Sequence, residues 1–433
     1  MSIRHAVFAL PLAIFITTAA LASDAEALAR QSISEDEAAA REAIAELREM
    51  GQAGVDALLT VYADEVAKYA RSGDSTSEWR RIAAAIDTVA MQKDAYASGL
   101  YWYTDLDEAL KAAKKRDRPI LSLRLLGNLN EEFSCANSRL FRSLLYANKN
   151  ISGYLRENFV LHWRSVRPAP RITVDFGDGR KIERTVTGNS IHYILADDGR
   201  VIDALPGLYS PRAFKLYLEQ AHDVFRRVDK LGKREKLLAL AAFRKGAADH
   251  LMATRKKAFE LSDVKLVDSQ TGTDALSIAP IAIAKMVTEV TLLRVYDPQA
   301  QYIPSIALDD WKLLAERYEP NAEIDESSKA MIRRQNRGLS ERELSALFAK
   351  LNEYVSLDTT RNDFLYRTQI YTLLDPSGQL GGDLEQLNSI VYARVFKTPE
   401  SDEWLGLYSA DVYTALDGGG VIRPGESMPA GRN

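Results

Sequence analysis

The spacing of apolar residues divides the chain into two helical regions with a mixed region between them. Residues 24–98 carry alanine and leucine at helical intervals, and Gly51 and Gly54 mark a turn. One stretch there resembles a helical-repeat unit but has no clear second copy, so a small helical cap is predicted. Helix-length apolar periodicity returns beyond residue 230, in the stretches 236–259, 278–296 and 340–374.

The middle region alternates between helix-like and strand-like patterns. A helix is predicted over 104–117, with Thr104 or Asp105 as its N-cap, and an apolar strand follows Pro119. The remaining predicted elements are a helix after Cys135 that breaks near Asn148–Asn150, a strand over 159–166, two hairpins that turn at Gly177–Gly179 and Asp197–Gly199, and a helix that begins at Pro211. This order predicts a mixed α/β domain.

The first 22 residues have the pattern of a signal peptide. Arg4 and His5 form a basic start, an apolar run of about 17 residues follows, and Ala20-Leu21-Ala22 is a small-x-small cleavage site. An uncleaved membrane anchor is the alternative, but the run is short and contains Pro11. We therefore expect a periplasmic or secreted protein whose mature chain has no integral membrane segment.

Composition and charge exclude some classes of function. The chain has 433 residues, enough for two or three domains, and its formal charge of −4 comes from 56 basic and 60 acidic residues. This near balance gives no reason to expect a nucleic-acid partner. The sequence contains no dinucleotide-binding, phosphate-loop, zinc-protease or nucleophile-elbow motif, so no cofactor is predicted.

The middle region resembles the thioredoxin-like fold. The resemblance is carried by Trp102, a cysteine at a helix start, Phe141, and the stretches YLRENFVLHW and HYILADDGRVID. The whole chain also resembles a family of exported bacterial proteins with similar flanking helices. The predicted fold class is therefore α/β, and its divisions are a signal peptide (1–22), a helical region (23–98), a thioredoxin-like domain (99–230), a helical domain (231–416) and a disordered tail (417–433).

The resemblance assigns roles to residues around Cys135, the one cysteine of the chain. In thioredoxin-like enzymes a first cysteine attacks a disulfide and a second, three residues later, resolves it. Ser138 stands at that second position, so a dithiol cycle is impossible and any activity would be at most monothiol thiol–disulfide exchange. The resemblance implies Cys135 as nucleophile, Ser138 as hydrogen-bond donor to its thiolate, and Ser190 with Asn189 in a substrate groove.

Two hypotheses about function follow from this single thiol. In the first, an exposed Cys135 engages protein partners through a mixed disulfide. In the second, the protein is a non-catalytic binding or scaffolding protein, and Cys135 packs inside as a small apolar residue. A metal site built from Cys135, His162 and His192 is not predicted, because no closely spaced ligand pair exists.

Two further stretches are candidates for recognition. The basic hairpin over 167–186 is inserted between expected sheet strands and is a candidate surface for a protein partner, although an ordinary solvated hairpin has the same composition. Residues 357–374 interleave arginines with aromatic residues, a composition common at interfaces. We expect that helix to attach the C-terminal helical region to the α/β domain.

Overall fold

The computed structural model describes residues 23–185, 188–262, 308–374, 383–405 and 421–424. The predicted signal peptide, the helix predicted over 278–296 and most of the predicted tail lie outside these residues. Within the described ranges, no helix is both long and apolar enough to cross a membrane.

The N-terminal region is a bundle of short helices with a core of its own. Asp36 caps the second helix with its carboxylate, and Thr76 caps the fifth with its hydroxyl. Leu47, Leu58 and Ile86 are fully enclosed in the shared core. The helices are α1 (23–31), α2 (Glu37–Glu49), α3 (Gln52–Val61), α4 (Ala63–Ser72), α5 (Ser77–Ala90) and α6 (Ala95–Ser98).

The middle region is a mixed α/β layer structure. Its four-stranded sheet has the order β2-β1-β5-β6, in which β1 pairs with β2 in parallel and with β5 antiparallel, while β3 and β4 form a separate hairpin. The elements are α7 (Leu106–Arg116), β1 (Ile120–Leu126), α8 (Ala136–Leu140), α9 (Lys149–Asn158), β2 (Val160–Arg167), β3 (Arg171–Asp175), β4 (Lys181–Thr185), β5 (Ser190–Leu195), β6 (Val201–Pro206) and α10 (Pro211–Val228).

The strands β1, β5 and β6 are buried along their entire length. Burial of successive residues means that both faces of the sheet are covered, which explains their nearly continuous apolar sequence. The helices α7 and α9 pack beside β2, and α10 packs against β6. Of the two N-caps predicted for α7, Asp105 is the one that caps it, and α10 begins at Pro211 as predicted. The break predicted near Asn148–Asn150 is present, and there Asn148 caps α9.

The C-terminal helices share one core with the sheet. Buried side chains such as Val355, Tyr371 and Leu387 belong to the same cluster as Leu123 and Ile194 of the strands. The helices are α11 (Lys233–Ser262), α12 (Leu308–Tyr318), α13 (Glu326–Gln335), α14 (Glu341–Arg361), α15 (Thr368–Leu373) and α16 (Leu384–Ile390), with π-helical turns at Phe141–Tyr146, Asn362–Arg367 and Val391–Val395. The described part of the protein is therefore a mixed α/β structure flanked by helices.

Candidate functional site

Cys135 occupies the N-cap position of α8, at the end of the loop that follows β1. Its backbone N–H donates to the Leu126 carbonyl at 3.0 Å, which holds the loop against the end of the strand. The side chain has no exposed surface. Burial holds the pKa of Tyr146 and of Tyr392 well above the usual value, and a thiolate at Cys135 would raise both further. Both phenols are therefore within electrostatic range of the sulfur.

The β3–β4 hairpin contacts the loop that carries Cys135. Thr185, at the end of β4, donates to the carbonyl of Ser134 at 3.4 Å and accepts from Arg139 at 2.7 Å. The guanidinium of Arg171 lies 4.6 Å from the centre of the Phe133 ring. The predicted recognition hairpin is therefore attached to the cysteine loop by its base, while its turn at Gly177–Gly179 extends into solvent.

The segment after α16 contacts the predicted substrate groove. The Tyr392 hydroxyl donates to the Asn189 carbonyl at 3.2 Å, and the Asn189 side-chain amide donates to the Thr398 hydroxyl at 3.2 Å. Asn189 and Ser190 are both buried. The chain itself, more than 200 residues further on, thus occupies the place where the resemblance implied a substrate.

Ser138 has hydrogen-bond partners other than the thiol. Its hydroxyl lies 2.6 Å from the Ser134 hydroxyl and 2.8 Å from the Cys135 carbonyl. Asn137 donates to the Gly188 carbonyl and, at 2.8 Å, to the Ser190 hydroxyl, which ties α8 to the start of β5. The four predicted site residues therefore lie in one buried neighbourhood that α8, β5 and the C-terminal segment enclose.

The two candidate histidines lie on opposite faces of the sheet. His162 is paired in register with Ser122 and His192 with Leu123, and consecutive strand residues point to opposite faces. Burial lowers the pKa of each imidazole to about 3. His192 hydrogen-bonds the Tyr146 hydroxyl at 2.7 Å. Among the described residues, no group of three or more His, Cys, Asp or Glu side chains is placed to hold a metal ion.

A buried ionic cluster joins β6 to the C-terminal helices. Arg367 donates to Asp203 at 2.5 Å and lies 3.4 Å from Asp363. Burial by itself lowers the pKa of Arg367, but the two carboxylates and the surrounding phenols outweigh burial and hold it well above the usual value. The hydroxyls of Tyr209, Tyr217 and Tyr318 donate to Asp363, and that of Tyr371 donates to Asp203.

A cleft of about 830 Å³ opens beside this cluster, between α10 and α11. Its volume falls within the ~300–1,000 Å³ typical of ligand sites. Its polar end is formed by Tyr217, Tyr318, Glu319 and Arg367, and Arg212 pairs with Glu319 at the rim. Small and apolar side chains line the walls; these are Ala213, Leu216, Val224, Val228, Leu231, Ala239, Ala242, Phe243, Gly246, Ala247 and Leu251.

No family model, curated protein or solved structure matches this chain. Its function therefore has to be inferred from the arrangement of its own residues. Two features of that arrangement matter most: the enclosed thiol and the open cleft between α10 and α11.

Several residues of these sites have no signal in the sequence. Asp203 lies in an apolar strand, and Glu319 follows the end of α12, more than 100 residues away. Asp363, Arg367 and Tyr371 stand in the stretch 357–374, whose composition indicated an interface. The walls of the cleft, α10 and α11, are consecutive along the chain, and periodicity predicts each of them as a helix without predicting a cleft between them. The polar end of the cleft includes Tyr318, Glu319 and Arg367, which lie far along the chain from α10.

Proposed function

We propose that this protein is an exported, non-catalytic binding protein whose α/β domain is thioredoxin-like and whose α10–α11 cleft receives an amphipathic helix of a partner protein. Export is supported by the N-terminal sequence pattern. The thioredoxin-like assignment is supported by the order of elements: a strand, a helix that starts at Cys135, a parallel strand, an antiparallel hairpin and a closing helix.

The observation that carries this proposal is the complete burial of Cys135. A mixed disulfide forms when a thiolate attacks a disulfide sulfur, so the thiol has to be reachable by its target. The dipole and the free N–H groups at the start of α8 would stabilise a thiolate at Cys135. However, the side chain is enclosed, so a target disulfide cannot reach it. This geometry supports the binding hypothesis over the mixed-disulfide hypothesis, which would require the C-terminal segment to move first.

The walls of the cleft favour a helical ligand. They are two helix faces with residues at intervals of three and four, such as Tyr217, Gln220 and Val224 on α10. On the other wall, Ala242 and Gly246 are exposed and small, so a third helix backbone has space to approach closely. Helices that dock in such grooves present apolar residues at the same spacing.

The rim of the cleft suggests the charge of that helix. Arg227 lines the cleft, is exposed, and donates to the backbone carbonyl of Asp223 within its own helix. Arg212 also lines the cleft, and the Leu216 side chain on the same helix is 44% exposed. An amphipathic helix with leucine-like anchors and an acidic flank would complement this combination of apolar floor and basic rim.

Site-specific photo-cross-linking tests the proposal. A photoreactive residue at Ala242, inside the cleft, is compared with one at Leu238, which is 62% exposed on the same helix but outside the lining. The proposal expects a cross-link from position 242 to one partner segment, which mass spectrometry maps to an amphipathic helix with acidic residues. The yield should be unchanged when Cys135→Ala is added.

Three outcomes would overturn the proposal. Equal yields from positions 242 and 238 would indicate non-specific contact. A small apolar molecule that co-purifies with the protein and is displaced by Gly246→Trp would make the cleft a small-molecule site. Loss of the cross-link in Cys135→Ala, with the fold intact, would restore the thiol to the mechanism.

A further inference from the structure

Three arginines line a second pocket, which is smaller than the α10–α11 cleft and lies beside β1 and β2. Arg124 of β1, together with Arg164 and Arg167 of β2, lines a pocket of about 190 Å³. Ser165 of β2 completes the strand side of the pocket, and the C-terminal segment supplies the opposite wall through the polar residues Asn388, Ser389, Tyr392 and Thr398. The pocket thus lies between the α/β domain and the segment that covers Cys135.

The arginines of this pocket are incompletely paired. Glu385 serves two of them, at 2.7 Å from Arg124 and 3.3 Å from Arg164, and its own side chain is half exposed. Arg167 donates to the backbone carbonyl of Asp402 at 2.8 Å. The Nε of Arg124 and one terminal nitrogen of Arg167 are buried and have no hydrogen-bond partner among the described residues.

Because these arginine nitrogens are buried, leaving them without hydrogen-bond partners is energetically costly. Arg124 is 1% exposed, and an unsatisfied buried donor on a charged group costs more than one on a neutral group. Burial also lowers the pKa of Arg167. The lining holds three guanidiniums and two carboxylates, Glu385 and Glu400, and the Asp402 carboxylate interacts with Arg167 from outside the lining.

The size and donor set of the pocket define its ligand. About 190 Å³ is the volume of roughly six waters at ~30 Å³ each, too small for a drug-sized molecule but sufficient for one hydrated oxyanion. Guanidinium groups bind phosphate and carboxylate oxygens through paired hydrogen bonds. Serine, threonine and asparagine side chains supply further donors.

We propose that this pocket binds a tetrahedral oxyanion, either free phosphate or sulfate or the terminal phosphoryl group of a larger ligand, held by Arg124, Arg164 and Arg167. The bound anion links β1 and β2 to α16 and the residues that follow it. The site is separate from the α10–α11 cleft, so it stands or falls independently of the proposed partner helix.

Titration of the full mature chain with sulfate and phosphate, against chloride at matched ionic strength, tests the pocket. Calorimetry and the thermal midpoint should both show saturable binding of the oxyanions. Arg164→Gln, whose side chain is 60% exposed, should weaken binding by about tenfold, the loss expected for one charge-assisted hydrogen bond. Arg180→Gln, which removes the same charge at the β3–β4 turn, should leave binding unchanged.

A second variant gives a change of opposite sign. Glu385→Gln removes the carboxylate that competes for Arg124 and Arg164, so it should tighten oxyanion binding. If the arginines serve only to hold Glu385, that variant will show no saturable binding, and the proposal fails. Equal weakening by Arg164→Gln and Arg180→Gln, or the absence of saturation in the unmodified protein, would also overturn it.

Two phosphate probes distinguish the sources of the anion. Binding of inorganic phosphate without binding of phenyl phosphate would show that the pocket takes a free anion. Equal binding of both would show that it takes the terminal phosphoryl group of a larger ligand. Either result supports the shared oxyanion chemistry, whereas binding of neither contradicts it.

Discussion

Arg367 forms a buried ionic contact between β6 and the C-terminal helices. It is almost fully buried between two aspartates, and its guanidinium lies 3.7 Å from the centre of the Tyr217 ring. We predict that Arg367→Met lowers the free energy of unfolding by roughly 3–5 kcal/mol, because it leaves Asp203 and Asp363 buried without their cation. Urea denaturation of the full chain measures this loss.

The matched control for that substitution is Arg180→Met. Arg180 is highly exposed at the turn of the β3–β4 hairpin, so its replacement should change stability by no more than about 0.5 kcal/mol. A loss below about 1 kcal/mol in Arg367→Met would contradict the structural role of the cluster. It would mean that the aspartates find water or other donors when the arginine is absent.

His192 makes stability depend on pH. The unfolded imidazole titrates near 6.5, whereas burial lowers the folded pKa to about 3. The contribution of neutral His192 to the free energy of unfolding is therefore fully present above pH 6.5. It is lost as the pH falls, by about 2 kcal/mol between pH 6.5 and 5. In His192→Gln, the slope of unfolding free energy against pH over this range should decrease by about one proton; an unchanged slope would contradict the assignment.

At the scale of elements, local signals in the sequence were sufficient wherever caps and turns define an element. Asp105, with Thr104, was placed at a helix start because a short polar side chain accepts from the free N–H groups there, and it caps α7. The two hairpins were placed by the glycine and aspartate residues at their turns. These signals depend only on neighbouring residues, so they can be recognised in the sequence without knowledge of the tertiary fold.

The covering of Cys135 by the C-terminal segment could not be predicted in this way. Tyr392 and Thr398 reach Asn189 across more than 200 residues, and nothing in the sequence near either end indicates the contact. The π-helical turns at Phe141–Tyr146 and Asn362–Arg367 were likewise predicted as ordinary helix. In both cases tertiary packing, rather than local propensity, determines the outcome.

Tyr392 is a buried side chain of this segment whose phenol interacts electrostatically with Cys135. Tyr392→Ala should raise the alkylation rate of Cys135 in the folded protein by roughly tenfold or more, because truncating a large buried aromatic weakens local packing by several kcal/mol, and about 1.4 kcal/mol is already a factor of ten. Mass spectrometry after a timed pulse of iodoacetamide measures the rate.

Two controls accompany this variant. Phe176→Ala removes an aromatic ring that is 51% exposed at the β3–β4 turn and should leave the rate unchanged. Tyr392→Phe keeps the ring but loses the hydrogen bond to Asn189, so its rate should lie between those of the unmodified protein and Tyr392→Ala. Equal rates in all variants would show that another element closes the site.

At the scale of the whole molecule, the sequence indicated the order of helical and mixed regions but not how they join. The N-terminal bundle is tied to the α/β domain by Arg48, which donates to the carbonyls of Val89 and Trp102. The C-terminal helices share their core with the sheet. The cleft, the oxyanion pocket and the closed thiol site all arise where these regions meet, so no single region contains them.

The central claim is that the folded protein keeps Cys135 closed and acts by binding. Pulsed alkylation of the purified protein over a series of urea concentrations and pH values tests it most directly. We predict that labelling occurs only through unfolding, so that the rate follows the global free energy of unfolding. Rapid labelling of the native protein, with a pH midpoint well below the ordinary thiol value of about 8.5, would contradict the claim and identify Cys135 as an active thiol.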